Sequence, residues 1–147
     1  MGTRCGDIDP AVILYIMQKK GFSIEHMSSL LNRESGILGI SGISNDMRDL
    51  LKGVREGKQR SKLALEVFLY RLKKYIGAYT ASMDGLDAVI LTAGIGENVP
   101  LIRKRIARDL RAFLKSFDAK VLVIPTNEEL MIAQETAQVI SSCRKKR

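Results

Sequence analysis

In LTAGIGENV, from Leu91 to Val99, an apolar run gives way to two glycines spaced two residues apart, followed directly by Glu97 and Asn98. Glycine has no Cβ and reaches left-handed backbone angles, so a ligand can lie against the main chain at such a place. The same spacing also serves a tight strand-to-helix turn that touches no ligand. The stretch lacks the third glycine of a dinucleotide fingerprint and the Lys-Ser/Thr pair of a P-loop, so it is neither of the standard phosphate cradles. Other chemistry is sparsely supplied. His26 is the only histidine, and Cys5 and Cys143 lie near opposite ends without a CxxC pair. Zinc ligation and Cys-His catalysis are therefore not expected.

The elements that must carry these residues follow from caps and periodicity. Asp9-Pro10 opens a helix through AVILYIMQKK that stops at Gly21. Ser23 opens a second, short helix ending near Gly36, and ILGISGISND reads as a loop. Ser44 or Asn45 then caps MRDLLKGVRE. From Gln59 to Met83 runs the longest helical pattern: Leu65, Leu69, Leu72, Ile76, Tyr79 and Met83 alternate at steps of four and three, and Leu63, Val67 and Tyr70 widen the stripe. A stripe this wide suits a core, and also a partner subunit.

The period changes after Asp84-Gly85. DAVILTA, from Asp87, has the continuous apolar run of a strand buried on both faces. Asn98 and Pro100 are expected to open a helix whose Ile102, Ile106, Leu110, Phe113, Leu114 and Phe117 share one face. KVLVIP reads as a second buried strand, and Thr126-Asn127 cap a last helix whose first turn carries Glu128 and Glu129. The expected organisation is a mainly helical part over 1–83 and a βαβα unit over 84–147, with parallel strands joined by a right-handed crossover. Ligands of open α/β sheets sit beyond the carboxyl ends of the strands, where TAGIGEN and PTNEE both fall.

A chain of 147 residues with 46% hydrophobic content suits one domain with a real core. No apolar run reaches the roughly 18 to 20 residues of a membrane span, and MGTRCGDIDP has no hydrophobic targeting segment. A cytoplasmic setting is expected. The net charge of +8 is spread over KGVREGKQRSK, LIRKRIARDLR and the tail CRKKR, interleaved with acids, and aromatics are only 5%. Solvated helix faces explain this better than a nucleic-acid surface, which would be a basic stripe with stacking aromatics.

Four segments have compositions that packing does not explain: TRCGDIDP from Thr3, LGISGISNDMRD from Leu38, TAGIGEN from Thr92 and PTNEE from Pro125. In combination and in this order they resemble the acetate kinase family, over essentially the whole chain but only the carboxy-terminal part of the family's chain. The resemblance implies a helix-rich α/β fold: a partial actin-like ATPase domain with a small parallel sheet of about two strands and a long helix. It also implies that the family's amino-terminal part, with its acetate pocket, is absent. The activity implied for the complete enzyme is reversible, Mg2+-dependent transfer of the ATP γ-phosphoryl to acetate, with the chain alone inactive.

By resemblance, Arg4 matches the arginine that stabilises the transferring phosphoryl group, a task suited to a fixed, always-charged fork. Read from the residues alone, it could equally pair with Asp7 or Asp9. Asp46, Met47 and Arg48 match an adenosine-contacting triplet, although Asp46 also reads as part of a helix start. Gly94, Ile95, Gly96, Glu97 and Asn98 match the second ATP/ADP segment, with Asn98 doubling as a helix cap and Glu97 in an orienting role. Glu128, with Glu129 as its neighbour, matches the Mg2+-associated glutamate, and both also suit the helix dipole. The chain departs from the family at Cys5, where serine is usual, and between Phe117 and Lys120, where the family carries a longer excursion. Implied partners are an adenine nucleotide, acetate or another short carboxylate in the complete enzyme, and a second copy or the missing half. A non-catalytic nucleotide-binding or subunit-interaction module, and polyanion binding through RKKR, are the competing readings.

Overall fold

A computed structural model describes residues 1–144 and divides into two compact units, Met1–Ser82 and Met83–Arg147. Lys145 and Lys146 of the basic tail lie outside the described residues.

The first unit is helical. Its α1 (Pro10–Lys20) starts where Asp9 accepts the Ala11 N–H and ends at Gly21, whose φ of 66° is the left-handed stop. Ser23 caps α2 (Ile24–Arg33) through the His26 N–H. The stretch expected as a loop contains a short helix, α3 (Gly36–Ser41), closed by Gly42. Its Ile37 is buried in the core, and this tertiary burial overrides the weak helix propensity of its glycines. The cap of α4 (Met47–Arg55) is Asp46, one residue later than expected, through the Arg48 N–H.

The long helix α5 (Gln59–Ser82) packs against α3 and α4. Leu50 of α4 and Leu69 of α5 are almost wholly buried. Gly53 lets the two helices approach: a Cβ there would lie 2.4 Å from the buried Ser61 Oγ. Only part of the α5 stripe is core. Leu65 and Leu69 are buried, whereas Leu63, Tyr70, Tyr79 and Met83 are more than half exposed.

The second unit pairs β1 (Ala88–Leu91) in parallel with β2 (Lys120–Val123), Ala88 opposite Lys120 and Leu91 opposite Val123. Between them run α6 (Ala93–Asn98), α7 (Pro100–Asp109) and α8 (Arg111–Ser116), and α9 (Glu128–Arg144) follows β2. The connecting helix expected to run unbroken is interrupted at Leu110, whose φ of −105° and ψ of 11° leave the α region. Ile102, Ile106 and Leu114 nonetheless share the buried side. The strands are covered on one face only. Val89 is buried, but Ile90 is 54% and Leu122 41% exposed, which corrects the expectation of burial on both faces. The helix-rich α/β class with a small parallel sheet and a long helix is as expected. No described helix is long and apolar enough to cross a membrane.

Candidate functional site

In the first unit the segment bearing Arg4 is pinned by its backbone. Cys5 N–H donates to the Leu31 carbonyl at 2.8 Å. The carbonyls of Met1, Gly2 and Thr3 accept from Ile37, Leu38 and Ser35 at 2.9 to 3.0 Å. The strap crosses directly over Gly36, which has φ of 62° and where a Cβ would lie 2.7 Å from the Met1 carbonyl oxygen and 2.9 Å from that of Arg4. Only glycine meets both demands. Arg4 is exposed. Both of its sequence-adjacent acids are engaged elsewhere: Asp7 pairs with Arg71, and Asp9 caps α1. Among the described residues Arg4 has no ion pair, so its guanidinium is available to an anion.

The Asp46 triplet lies beside this strap, since a Cβ on Gly2 would sit 3.5 Å from Asn45 Cβ. Asp46 is already occupied. It accepts the Arg48 backbone N–H at 2.7 Å and the guanidinium at 2.5 Å through Nη2 and 3.1 Å through Nε. The Arg48 side chain, then its backbone N–H, pull the Asp46 carboxyl down to about 2. Met47 is only 4% exposed and belongs to the core. Asp46 and Arg48, by contrast, lie at the surface.

In the second unit the ends of β1 and β2 are laced together. Thr126 accepts the Ala93 N–H on its hydroxyl at 3.0 Å, and that hydroxyl donates to Glu97 Oε1 at 3.0 Å. With its single proton so used, the Thr126 oxygen accepts from the Thr92 hydroxyl at 2.8 Å. Glu97 also accepts the Thr126 backbone N–H at 2.9 Å. These bonds, the backbone one foremost, hold the Glu97 carboxyl below its usual range. Asn127 caps α9 through the Leu130 N–H. An open groove of about 440 Å3 results, lined by Ala93, Gly94, Glu97 and the Thr126–Glu129 segment.

The glycines do not act alike. Gly94 borders the groove and a Cβ there meets nothing within 4 Å, whereas Gly96 is buried and a Cβ would lie 2.8 Å from the Leu91 carbonyl carbon. Gly96 therefore serves the seating of α6 on the end of β1. Neither has positive φ. The left-handed residue is Ala93, at φ 56°, a conformation that costs about 1–3 kcal/mol in a residue with a Cβ and that the surrounding structure must hold. The expected cap at Asn98 is corrected: Asn98 ends α6, and α7 starts from Val99 without a side-chain cap. Ile95 is partly exposed. Arg103 closes α6 by donating to the Gly96 and Glu97 carbonyls at 3.0 and 2.6 Å.

Glu128 is exposed, at the first turn of α9, without a hydrogen-bond or ion-pair partner among the described residues. Among the described residues no three His, Cys, Asp or Glu gather as a metal cage. A hydrated Mg2+ shared with phosphate needs only one or two carboxylates, and Glu128 with its neighbour Glu129 fits that need. Residues that sequence reasoning did not single out are Thr92, Arg103, Arg71 and Tyr75. Thr92 and Thr126 were visible as hydroxyls at both strand ends, but their mutual contact was not.

In open α/β proteins ligands bind beyond the carboxyl ends of the parallel strands, and here that edge presents hydroxyls, an amide and carboxylates around a groove. Residues 1–119 match the acetokinase family. An acetate kinase of Caldicellulosiruptor saccharolyticus is 49% identical over 161 residues, covering 95% of this chain. One of Methanosarcina mazei is 47% identical over 158 residues, again covering 95%. The structure of a Porphyromonas gingivalis acetate kinase superposes with a TM-score of 0.85 at 35% identity over 95% of the chain. That of a propionate kinase from Francisella tularensis does so with 0.81 at 40% identity over 92%. The chain belongs to the acetokinase family. It spans about 40% of the length of the curated acetate kinases it matches. The alignment of 161 positions exceeds the 147 residues present, so the relative carries additional residues within the matched span. The family match ends at residue 119, and β2 and α9, with Glu128, lie beyond it.

Proposed function

We propose that this chain supplies the adenine-nucleotide edge and a phosphoryl-facing arginine to an acetate kinase. The complete enzyme transfers the γ-phosphoryl of ATP to a short carboxylate, acetate or propionate, and back. In the forward direction a carboxylate oxygen attacks the γ-phosphorus in line, the bond to the β–γ bridging oxygen breaks, and ADP leaves with that electron pair. Such transfers are accelerated mainly by positioning and charge neutralisation. Arg4 neutralises charge on the transferring oxygens, Asp46 and Arg48 receive the adenosine, and Gly94 gives the nucleotide room beside Thr92 and Thr126. Glu128 would hold Mg2+, which would supply further charge neutralisation to the transfer.

The observation that carries this reading is the free guanidinium of Arg4: its neighbouring acids are both engaged, and its strap is tied down on either side of Gly36. The groove supports the cation requirement, because three carboxylates, Glu97, Glu128 and Glu129, line it. A polyphosphate meets repulsion there unless a divalent cation intervenes. The setting we assign is cytoplasmic, in keeping with two free cysteines.

The chain alone does not turn over at a rate near that of a complete enzyme, since partial catalytic sets are nearly as poor as none. A coupled ADP-release assay tests this, with calorimetric ATP titrations in the presence and absence of Mg2+. Turnover at an ordinary kinase rate, in material free of contaminating kinase, overturns the assignment of inactivity. Absence of ATP binding with Mg2+ present overturns the nucleotide edge. The exposed Leu63, Tyr70 and Tyr79 of α5 favour a second reading, in which this helix joins the chain to another subunit.

A further inference from the structure

The strap that carries Arg4 is pinned by backbone hydrogen bonds as far as Cys5. Beyond Cys5 the support changes. Among the described residues no backbone hydrogen bond ties Gly6, Asp7 or Ile8 to another element, and the next anchor is Asp9 at the start of α1. Beneath this stretch lies a cavity of about 430 Å3 bordered by Cys5, Gly6 and Asp7 on one side and Val67, Phe68 and Leu72 of α5 on the other. A void gives the residues above it no dispersion contacts on that side, so packing does not fix their position.

What spans the gap is the carboxylate of Asp7. Arg71 Nη2 and the Tyr75 hydroxyl both reach Asp7 Oδ2, the latter at 2.8 Å, and Arg71 Nη2 donates to Tyr75 Oη at 2.9 Å. The Arg71 guanidinium stands 5.1 Å from the Tyr75 ring centroid. Each member of the triangle thus touches the other two. The Tyr75 hydroxyl, then Arg71, hold the Asp7 carboxyl below its usual range. Asp7 and Arg71 are both solvent-accessible, and exposed pairs of this kind add little to global stability. Their effect is geometric and local.

We propose that Arg71 and Tyr75 are positioning residues: by clamping Asp7 across the cavity they hold the Gly6–Ile8 loop, and so keep in place the last backbone bond of the strap, Cys5 N–H to the Leu31 carbonyl, and the Arg4 guanidinium beside it. The value of the clamp to phosphoryl transfer rests on the role proposed above for Arg4; the clamp itself does not. Local opening of a segment held by few contacts is read directly by amide exchange.

The test uses the whole chain and the variants Tyr75→Phe, Arg71→Lys and Asp7→Asn. Amide hydrogen exchange is followed for Cys5, whose N–H donates to the Leu31 carbonyl, and for the α4–α5 core, and the Arg4 Nε–Hε resonance is followed during titration with inorganic phosphate at constant ionic strength. The clamp requires exchange at Cys5 about tenfold faster or more in each folded variant, with core protection unchanged and a displaced Arg4 resonance. It also requires the phosphate concentration giving half the shift to rise about 3- to 10-fold, or about 0.6–1.4 kcal/mol. Tyr75→Phe removes one hydroxyl from outside the core, and decides the matter should another variant fail to fold. Cys5 exchange and an Arg4 resonance identical to the parent's in that variant overturn the clamp. If the variants loosen the loop while the parent's Arg4 resonance ignores phosphate, the clamp stands and the phosphoryl role of Arg4 falls.

Discussion

The carboxylate of Glu97 accepts both the backbone N–H and the hydroxyl of Thr126, at 2.9 and 3.0 Å. It thereby joins α6 to the loop between β2 and α9, and the acid most visible in the glycine segment is directed at its own fold. Because these bonds favour the ionised form, the Glu97 carboxyl titrates below its usual 4.5. A carboxyl lowered in the folded state contributes stability above its unfolded value, which is lost as pH falls through the folded one. The acid limb of unfolding is expected to move to higher pH in Thr126→Val, which keeps the backbone donor and removes the hydroxyl. Denaturant titrations between pH 2 and 7, with the Glu97 Cδ resonance as local probe, measure both effects; an unmoved resonance counts against the tether.

Substitution at the two glycines of GIG is expected to separate fold from ligand. Gly96→Val drives a side chain into the Leu91 backbone and is expected to destabilise by about 1–3 kcal/mol or more, as overpacking does. Gly94→Val enters open space, keeps the fold, and on the proposed nucleotide assignment weakens ATP binding. Thermal unfolding and calorimetry on both variants check this. Full ATP affinity in folded Gly94→Val removes Gly94 from the ligand edge.

Asp46 is expected to titrate at about 2, because Arg48 holds it through side chain and backbone together. Its stabilising effect on α4 is present above the ordinary carboxylate value of 3.8 and is lost as pH falls toward 2. In Arg48→Gln the carboxyl is expected to rise only part of the way, since the backbone N–H of residue 48 remains as a donor. Carbon-detected titration of Asp46 in the two proteins reads the difference, and no rise in the variant places the cause elsewhere.

Self-association is expected through the uncovered side of α5. Leu63, Tyr70 and Tyr79 are 55–61% exposed, and large apolar side chains left uncovered along one helix mark an interface or an aggregation site. Sedimentation velocity at tens of micromolar is the check, with Tyr70→Ser and Tyr79→Ser expected to shift the distribution toward monomer. A parent chain that is already monomeric there rules the interface out.

The sequence by itself determined what depends on neighbours a few residues away. Asp9-Pro10, Gly21, Ser23 and Asn127 mark helix ends because a cap is made within two to four residues, and the change of period after Gly85 marks the strand because a short apolar run bounded by turn residues is a local signal. The family was legible for a related reason: its motifs are short, ordered runs of residue types. The tertiary structure decided what depends on residues far apart in the chain. Met47 proved to be core and Gly96 a packing requirement because α4 and α6 must each seat a particular face. The α5 stripe divided into covered and uncovered sides according to where α3 and α4 lie. Thr126 reaches Glu97 across 29 residues, and Tyr75 reaches Asp7 across 68. No periodicity encodes such pairs, because a side chain's partner at that separation is chosen by the packing of whole helices, and the free guanidinium of Arg4 exists only because that packing gave Asp7 to Arg71 and Tyr75.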